Sequence, residues 1–313
     1  MAFHLHSHAA LDREIMRVVR QQIAEAAQAA AGRHHSWAQR IHRARASCKK
    51  VRATLRLVRR QSPRPCAREN AWFRDSARRL ARFRDADVML AGLQDLLLKH
   101  ASNRADRAFF EAIRRRLLAQ RRAERSGVSG LQHELDRFVL RMRAADRRLA
   151  REKPDGVDFA VVADGFAATY RRARQAARSG GPRDAAWFHL WRKRVKAHGY
   201  QCRLLGDIWP AMMKTLGREV STLGDLLGDE HDLSLLRDYL RDTANASGHK
   251  APATAGIRLI ETRRAELRRA ALALGRRLFA DKPRAVERRL LQWWKVAGGA
   301  PGRKQVRNAA AAR

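Results

Sequence analysis

The chain has 313 residues, enough for two domains with cores of their own, and an apolar fraction of 45%, which argues against wholesale disorder. Lys and Arg number 67 against 31 Asp and Glu, a formal net charge of +36. A field of that sign draws polyanions and opposes self-association, so the candidate partners are nucleic acid, an anionic membrane surface or inorganic phosphate chains. Arg far outnumbers Lys, which suits forked recognition of phosphate oxygens.

The first eight residues, Met1 to His8, hold no basic segment followed by an apolar run, so no secretory leader is expected. His4, His6 and His8 read as a flexible tail with at most adventitious metal affinity. Breaks in the helical pattern are expected near Gly32, at Ser62 to Pro65, around Ser126 to Gly130 and at Lys153 to Gly156. Further breaks are expected at Ser179 to Pro182, near Pro210, across Ser247 to Pro252 and at Pro283. Between them Ala, Leu, Arg and Glu dominate, all good helix formers, and no period-two alternation of β-branched residues suggests a strand. The expected fold class is all-α.

The informative segment is Ile41 to Arg60. Ile41, Ala44, Cys48, Val51, Leu55 and Val58 fall at alternating spacings of three and four, which predicts one buried helical stripe. One residue along, His42, Arg45, Lys49, Arg52, Arg56 and Arg59 repeat that spacing and form a second stripe about 100° around the helix. Such a helix must pack on one side and face solvent or an anion on the other.

The pattern returns further on. Phe188, Trp191, Val195, Cys202 and Leu205 repeat the apolar stripe, with His198 in the same line. His189, Arg192, Lys196 and Arg203 repeat the basic one, with Gly199 at one basic position. In each half a helix with paired acids follows: Arg84-Asp85-Ala86-Asp87-Val88 in the first, Asp229-Glu230-His231-Asp232-Leu233 in the second. This predicts an internal duplication with a period of about 140 residues, too long for a solenoid. The expected division is 5–152 and 158–296, with the hinge at Glu152 to Asp158 and a basic, disordered tail over 298–313.

At these residues the chain resembles the CHAD family, the conserved histidine α-helical domain. His42, Arg45, Lys49, Lys50 and Arg52 match the family pattern of the first half, and Arg84 to Val88 match its Arg-Asp-x-Asp-Val signature. His189, Arg192, Lys193, Lys196 and Tyr200 match the pattern of the second half. The resemblance spans roughly residues 5 to 296. It implies two similar four-helix bundles related by a pseudo-twofold axis, with a basic groove or cavity where they meet. It also implies association with inorganic polyphosphate, and for some members a place at polyphosphate granules in the cytoplasm. The chain departs from the family at Gly199, where Arg is usual, and carries Asp229 and His231 where its own first half has Arg84 and Ala86.

The polyphosphate-binding residues expected are therefore His42, Arg45, Lys49, Lys50, Arg52 and Arg56 with His189, Arg192, Lys193, Lys196 and Arg203. Five or six cations along about 20 Å of helix repel one another unless an anion or solvent lies among them. The two histidines suit either phosphate contact or a helix-packing role. No metal ligand set, cofactor motif, P-loop or nucleophile elbow is present, and Asp85, Asp87, Glu230 and Asp232 read as helix-start and Arg-orienting acids. Cys48, Cys66 and Cys202 are too widely spaced for a zinc site or a disulfide framework, and reduced thiols are expected. No uninterrupted apolar stretch reaches the roughly 20 residues of a membrane span. Trp37, Trp72, Trp187, Trp191, Trp209, Trp293 and Trp294 fall mostly in apolar lines and do not interleave the cations, which speaks against a base-stacking platform. A non-enzymatic polyphosphate-binding adaptor is the reading favoured. RNA or DNA binding by a basic helical protein stands beside it, and a metal-dependent polyphosphate-processing enzyme behind both.

Overall fold

A computed structural model describes residues 3–6, 9–32, 34–98, 100–101, 103–126, 130–152, 156–178, 184–247 and 250–298. The described residues form helices and connectors with no strand. In chain order the α-helices are α1 (Leu11–Ala31), α2 (Trp37–Leu57), α3 (Pro63–Arg79), α4 (Arg82–Gly92), α5 (Arg104–Ser126) and α6 (Leu131–Arg151). They continue with α7 (Phe159–Arg178), α8 (Ala185–Leu204), α9 (Pro210–Ser247), α10 (Lys250–Leu278) and α11 (Pro283–Val296). No described helix is long and apolar enough to cross a membrane.

Local chemistry explains several boundaries. Ser36 starts α2 with a capping box: its hydroxyl accepts from the Gln39 N–H at 3.3 Å while its own N–H donates to Gln39 Oε1 at 3.1 Å. Asp184 caps α8 by accepting from the Trp187 N–H at 2.8 Å. α3 and α11 begin on Pro63 and Pro283, where the missing N–H costs nothing. The breaks expected near Gly32, Pro210 and Pro283 fall at helix ends. Residues 127–129, 153–155, 179–183 and 248–249 lie outside the described residues, as do His8 and the tail from 299 onward, so these break, hinge and tail expectations reach into undescribed parts of the chain. One break was not expected: α3 ends at Arg79 and α4 starts at Arg82, with Ala81 N–H donating to Arg78 O at 3.0 Å and neither Gly nor Pro to announce the turn. α4 runs on into a π-helical turn, Leu93–Leu98, where Gly92 lies against Leu236 of α9.

Two apolar cores hold the helices. The larger joins α1, α2, α3, α6, α7, α8 and α11 with Met213 to Leu227 of α9 and Ala271 of α10. The smaller joins α4, its π-helical turn and α5 with Leu233 to Ala244 of α9 and Ala253 to Leu267 of α10. Each core draws on both sides of the division expected at 152–158, so the packing does not separate the two sequence halves. The physical reason lies in α2, which is buried against α7 and α8 as well as α1 and α3. Gly165 of α7 makes this possible, since a Cβ there would stand 2.2 Å from Leu57 O and 2.5 Å from Leu57 Cα. Gln201 of α8, fully buried, donates to Ala53 O of α2 at 3.0 Å. The two helices with basic seams are thus pressed against each other.

Candidate functional site

The apolar seam of α2 is buried as the spacing predicts: Ile41, Ala44, Cys48 and Val51 are 0% exposed, with Leu55 and Val58 nearly so. The seam of α8 is buried too, in Phe188, Trp191, Val195, Cys202 and Leu205. Each Val, Leu, Ile or Phe removed from water contributes about 1.5–3 kcal/mol. That anchors the helix and leaves the neighbouring cations no choice of direction. Trp191 fits because α10 has Gly275 opposite, where a Cβ would come within 2.5 Å of the indole. All three cysteines are buried and unpaired, with burial pushing the Cys48 and Cys202 thiols up to about 12.

Arg45 and Lys49 of α2, Arg84 of α4 and Arg192 and Lys196 of α8 gather where the three helices meet. Their fields act on one another: burial first, then Arg45, Arg192, Arg84 and Lys196, hold the Lys49 ammonium down to about 7. Burial and then the field of Arg84 also lower Arg45. Among the described residues, Arg45, Lys49, Arg84 and Arg192 make no side-chain hydrogen bond or ion pair, and the buried Nε groups of Arg45 and Arg192 have no partner. An unmet buried charged donor costs several kcal/mol, so this arrangement is stable only because helix packing imposes it. Lys196 alone is partly satisfied, donating to Asp225 Oδ1 at 2.8 Å.

α9 supplies the floor. A Cβ on Gly224 would stand 3.2 Å from Cδ and Cε of Lys196, and one on Gly228 would stand 3.7 Å from Nε of Arg192. A methyl on Gly224 would crowd the Lys196 side chain, whereas one on Gly228 would make ordinary van der Waals contact with Arg192. Gly199 of α8 faces the same way, and a Cβ there would meet Val220 of α9 at 3.2 Å. Its departure from the family's arginine therefore goes with a close approach of α8 to α9.

The remaining expected residues divide into groups. Arg52 and Arg56 both donate to Asn70 Oδ1 of α3, at 3.1 and 3.3 Å, and burial followed by the field of Arg52 lowers Arg56 to about 10. Lys193 is exposed and feels Arg52 and Arg78 after its own burial, which extends the cationic line along α2. Lys50 and Arg203 stand apart from the cluster. Lys50 approaches Glu25 of α1 at 3.8 Å and lies over the Phe3 ring, while Arg203 donates to Ser221 at 3.4 Å.

The paired histidines are not equivalent. His42 is exposed, and burial of part of its ring with the field of Arg84 lowers it. His189 is half-buried, with its ring 4.2 Å from that of His231. Burial, then the fields of His231 and Lys193, push His189 down to about 4, and burial followed by Arg192 does the same to His231. His189 is therefore held towards its neutral form, in which it would meet a phosphate as an N–H donor, and a bound polyanion would favour the imidazolium. His198, in the apolar line, is fully buried among Phe166, Tyr170 and Phe279, and burial lowers it to about 4.

The acids also divide. Asp87 pairs with Arg121 at 3.3 Å and Arg125 at 2.9 Å on α5. Glu230, 1% exposed, pairs with the fully buried Arg264 at 2.8 Å and with Arg268 at 2.7 Å on α10. These two acids tie helices together. Asp85 and Asp232 instead stand in the field of the cationic cluster, and burial raises both against the pull of Arg45 for the first and of Arg192 and Arg84 for the second. An open cleft of about 770 Å³ adjoins Asp232, walled also by His42, Arg43, Arg84, Asp87 and Arg263. Among the described residues no group of three or more His, Cys, Asp or Glu side chains is placed to hold a metal ion.

Sequence reasoning missed Arg84 as a member of the site, and with it Asn70, Gly224 and Gly228. Signals existed for Arg84, which opens the Arg84-Asp85-Ala86-Asp87-Val88 segment, and for the glycines: spacings of seven and four over Gly217, Gly224 and Gly228 put small residues on one face of α9. A family model described as CHAD domain matches residues 17–241, which take in α2, α4, α8 and most of α9. The chain belongs to the CHAD family. The fold is similar to the crystal structure of the CHAD domain from the plant Ricinus communis, with a TM-score of 0.64 and 19% identity over 90% of this chain and 95% of that one. At that identity the likeness is one of fold. No curated protein matches the sequence. Membership of the CHAD family joins the two basic helices into one recurring frame, since the matched span begins before α2 and ends beyond α8.

Proposed function

We propose that this CHAD domain binds inorganic polyphosphate without chemically altering it, as a granule-associated module or adaptor in the cytoplasm. The observation that carries this reading is the group of unpaired cations, Arg45, Lys49, Arg84 and Arg192, drawn together from three helices with buried donors unmet. A phosphate chain offers a negative charge and forked acceptors at nearly every unit, so it would satisfy these donors and relieve their mutual repulsion. The cationic line along α2 through Lys193, Arg52 and Arg56 would continue the contact, forming the basic groove between two duplicated bundle halves. Binding by displacement of counterions would weaken steeply with salt. Asp87 and Glu230 are engaged by arginines of α5 and α10, which supports the reading of these acids as ties rather than as metal ligands for phosphoryl transfer.

The test is a titration of long-chain polyphosphate against RNA of matched charge at physiological salt, with orthophosphate followed in the same samples. Tighter polyphosphate binding without orthophosphate release is expected. Preference for RNA would replace this reading with nucleic-acid binding, and metal-dependent release of orthophosphate would make the domain an enzyme.

A further inference from the structure

Two pairs of histidine rings lie in contact, and their surroundings are opposite. His189 and His231, 4.2 Å apart between centroids, stand in the fields of Arg192 and Lys193, which oppose any further cation. His4 and His6 lie 4.8 Å apart between centroids, with planes at 89° and Nε2 atoms 3.2 Å from each other. Two carboxylates flank this second pair. Glu14 Oε2 is 2.8 Å from Nδ1 of His6, and Asp207 Oδ2 is 3.6 Å from Nε2 of His4. Arg17 also comes within 3.5 Å of Nδ1 of His6, but its guanidinium donates to both oxygens of Glu14 and to His4 O. Two carboxylates against one guanidinium leave these groups with a net negative charge, the sign that admits a metal ion.

The histidines do not hang on a loose end. Leu5 between them is buried, and its N–H donates to Leu204 O at 2.8 Å. Phe3 packs edge-on against Tyr200, and the His6 N–H donates to Glu14 at 3.0 Å. The segment is thus fixed between α1 and the short turn Gly206–Ile208 that holds Asp207. Both rings keep contact with water, with the His4 side chain 29% exposed and that of His6 53%. Because Glu14 accepts from Nδ1 of His6, the lone pair of that ring is on Nε2, the atom nearest His4.

The spacing of the two nitrogens narrows the ligand. Two imidazoles on a tetrahedral zinc at about 2.0–2.1 Å have nitrogens about 3.3–3.4 Å apart. Neighbouring ligands of a square-planar copper have theirs about 2.9 Å apart. The observed 3.2 Å is nearer the first. A proton donated from one Nε2 to the other accounts for the same distance, and a metal would take that proton's place.

We propose that His4 and His6 form a two-imidazole zinc site, oriented by Glu14, with water filling the other positions and the Asp207 carboxylate alongside. Two protein ligands fall short of the four of a structural zinc centre, in keeping with the want of any larger ligand group among the described residues. On binding, the proton between the rings passes through water to Nδ1 of His4. The metal fastens the N-terminal segment to α1 and to the turn after α8. The family span begins at residue 17, so this clip lies outside the frame that the CHAD family shares.

The experiment titrates the full chain with zinc alone in phosphate-free buffer by calorimetry, and follows thermal unfolding and hydrogen exchange at the Leu5 amide. One zinc ion per chain is expected to bind at this site. At free zinc 100 times Kd the folding equilibrium is expected to shift by about 100-fold, read as a higher unfolding midpoint, with slower exchange at Leu5. His4→Gln and His6→Gln are each expected to abolish that binding with helicity unchanged, and Glu14→Gln to weaken it by about tenfold. His8→Gln, His34→Gln and His35→Gln are expected to leave it intact. Failure to bind zinc would overturn the proposal, as would binding that survives both His4→Gln and His6→Gln. An equal loss with His8→Gln would also overturn it, since any histidines of the segment would then serve and the affinity would be adventitious.

Discussion

α2 and α8 carry nearly the same line of residue types, and both bury the apolar stripe that this line predicts. Their polar stripes end in different states. On α2, Arg52 and Arg56 share the side-chain carbonyl of Asn70 and His42 faces solvent, while on α8 Lys196 takes Asp225 and the His189 ring lies tilted against that of His231. Arg45 and Arg192, at matching positions, are alike in having buried Nε groups with no partner. A repeated sequence pattern thus repeats burial, which depends on the helix itself. It does not repeat protonation or pairing, which depend on what the neighbouring helix brings.

The comparison breaks first where each helix is seated. Gly165→Ala would drive a methyl into the Leu57 backbone beneath α2, and Gly275→Ala would drive one into the Trp191 ring beneath α8. Both are expected to cost about 3 kcal/mol or more in urea denaturation, the first more, because backbone cannot move aside as a side chain can. A cost below about 1 kcal/mol for Gly165→Ala would mean that α2 and α7 do not approach as closely as the structure has them.

The paired acids give the next contrast. Glu230→Gln removes the charge that compensates the fully buried Arg264 and is expected to cost about 3 kcal/mol. Asp87→Asn, whose arginine partners are partly exposed, is expected to cost under about 1 kcal/mol. Equal losses would mean that both acids are buried ties.

Binding probes the cations. Arg45→Ala and Arg192→Ala are each expected to weaken polyphosphate binding by about tenfold and to lower the salt slope by about one, with helicity by circular dichroism unchanged. Arg203→Ala, away from the cluster, is expected to leave affinity nearly unchanged. An equal effect at Arg203 would mean that the ligand path follows the α8 seam and not the cluster.

The last contrast is one of pH. The histidines His189, His198 and His231, held near 4 in the folded chain and near 6.5 when unfolded, bind protons in the unfolded state first. Stability is therefore expected to be full above about 6.5 and to fall as pH drops from there through about 4. Lys49 acts in the other window: the unfolded chain holds its proton up to about 10.4 and the folded chain only to about 7, so stability rises with pH across that interval. A bound polyanion would restore the Lys49 charge, so calorimetry near pH 8 in buffers of different ionisation enthalpy is expected to show proton uptake on binding. The K49R chain is expected to show none from this position.

Much of this was legible in the chain itself. The stripes of α2 and α8 and the breaks at Gly32, Pro63, Pro210 and Pro283 act over a few residues, and each was found where its spacing put it, with no strand among the described residues. The turn at Leu80 and Ala81 was not legible, because no residue there is restricted in φ and the stop is set by where Phe83 and Leu80 enter the core. The division into halves is not the division of the apolar cores, for a related reason. Duplication was read from order along the chain, whereas cores form from whatever apolar faces meet, and α9 is long enough to serve both.

By itself the sequence determined that the protein is helical, strongly basic and built on two amphipathic helices whose cations sit beside buried seams, because helix periodicity converts spacing into direction. Only the tertiary structure decided that Arg84 joins those cations, that Lys50 and Arg203 stand apart, that Asn70 holds two arginines and that His189 is held towards its neutral form. Each of these depends on the distance between groups remote in the chain, and on how much water the packing leaves around them.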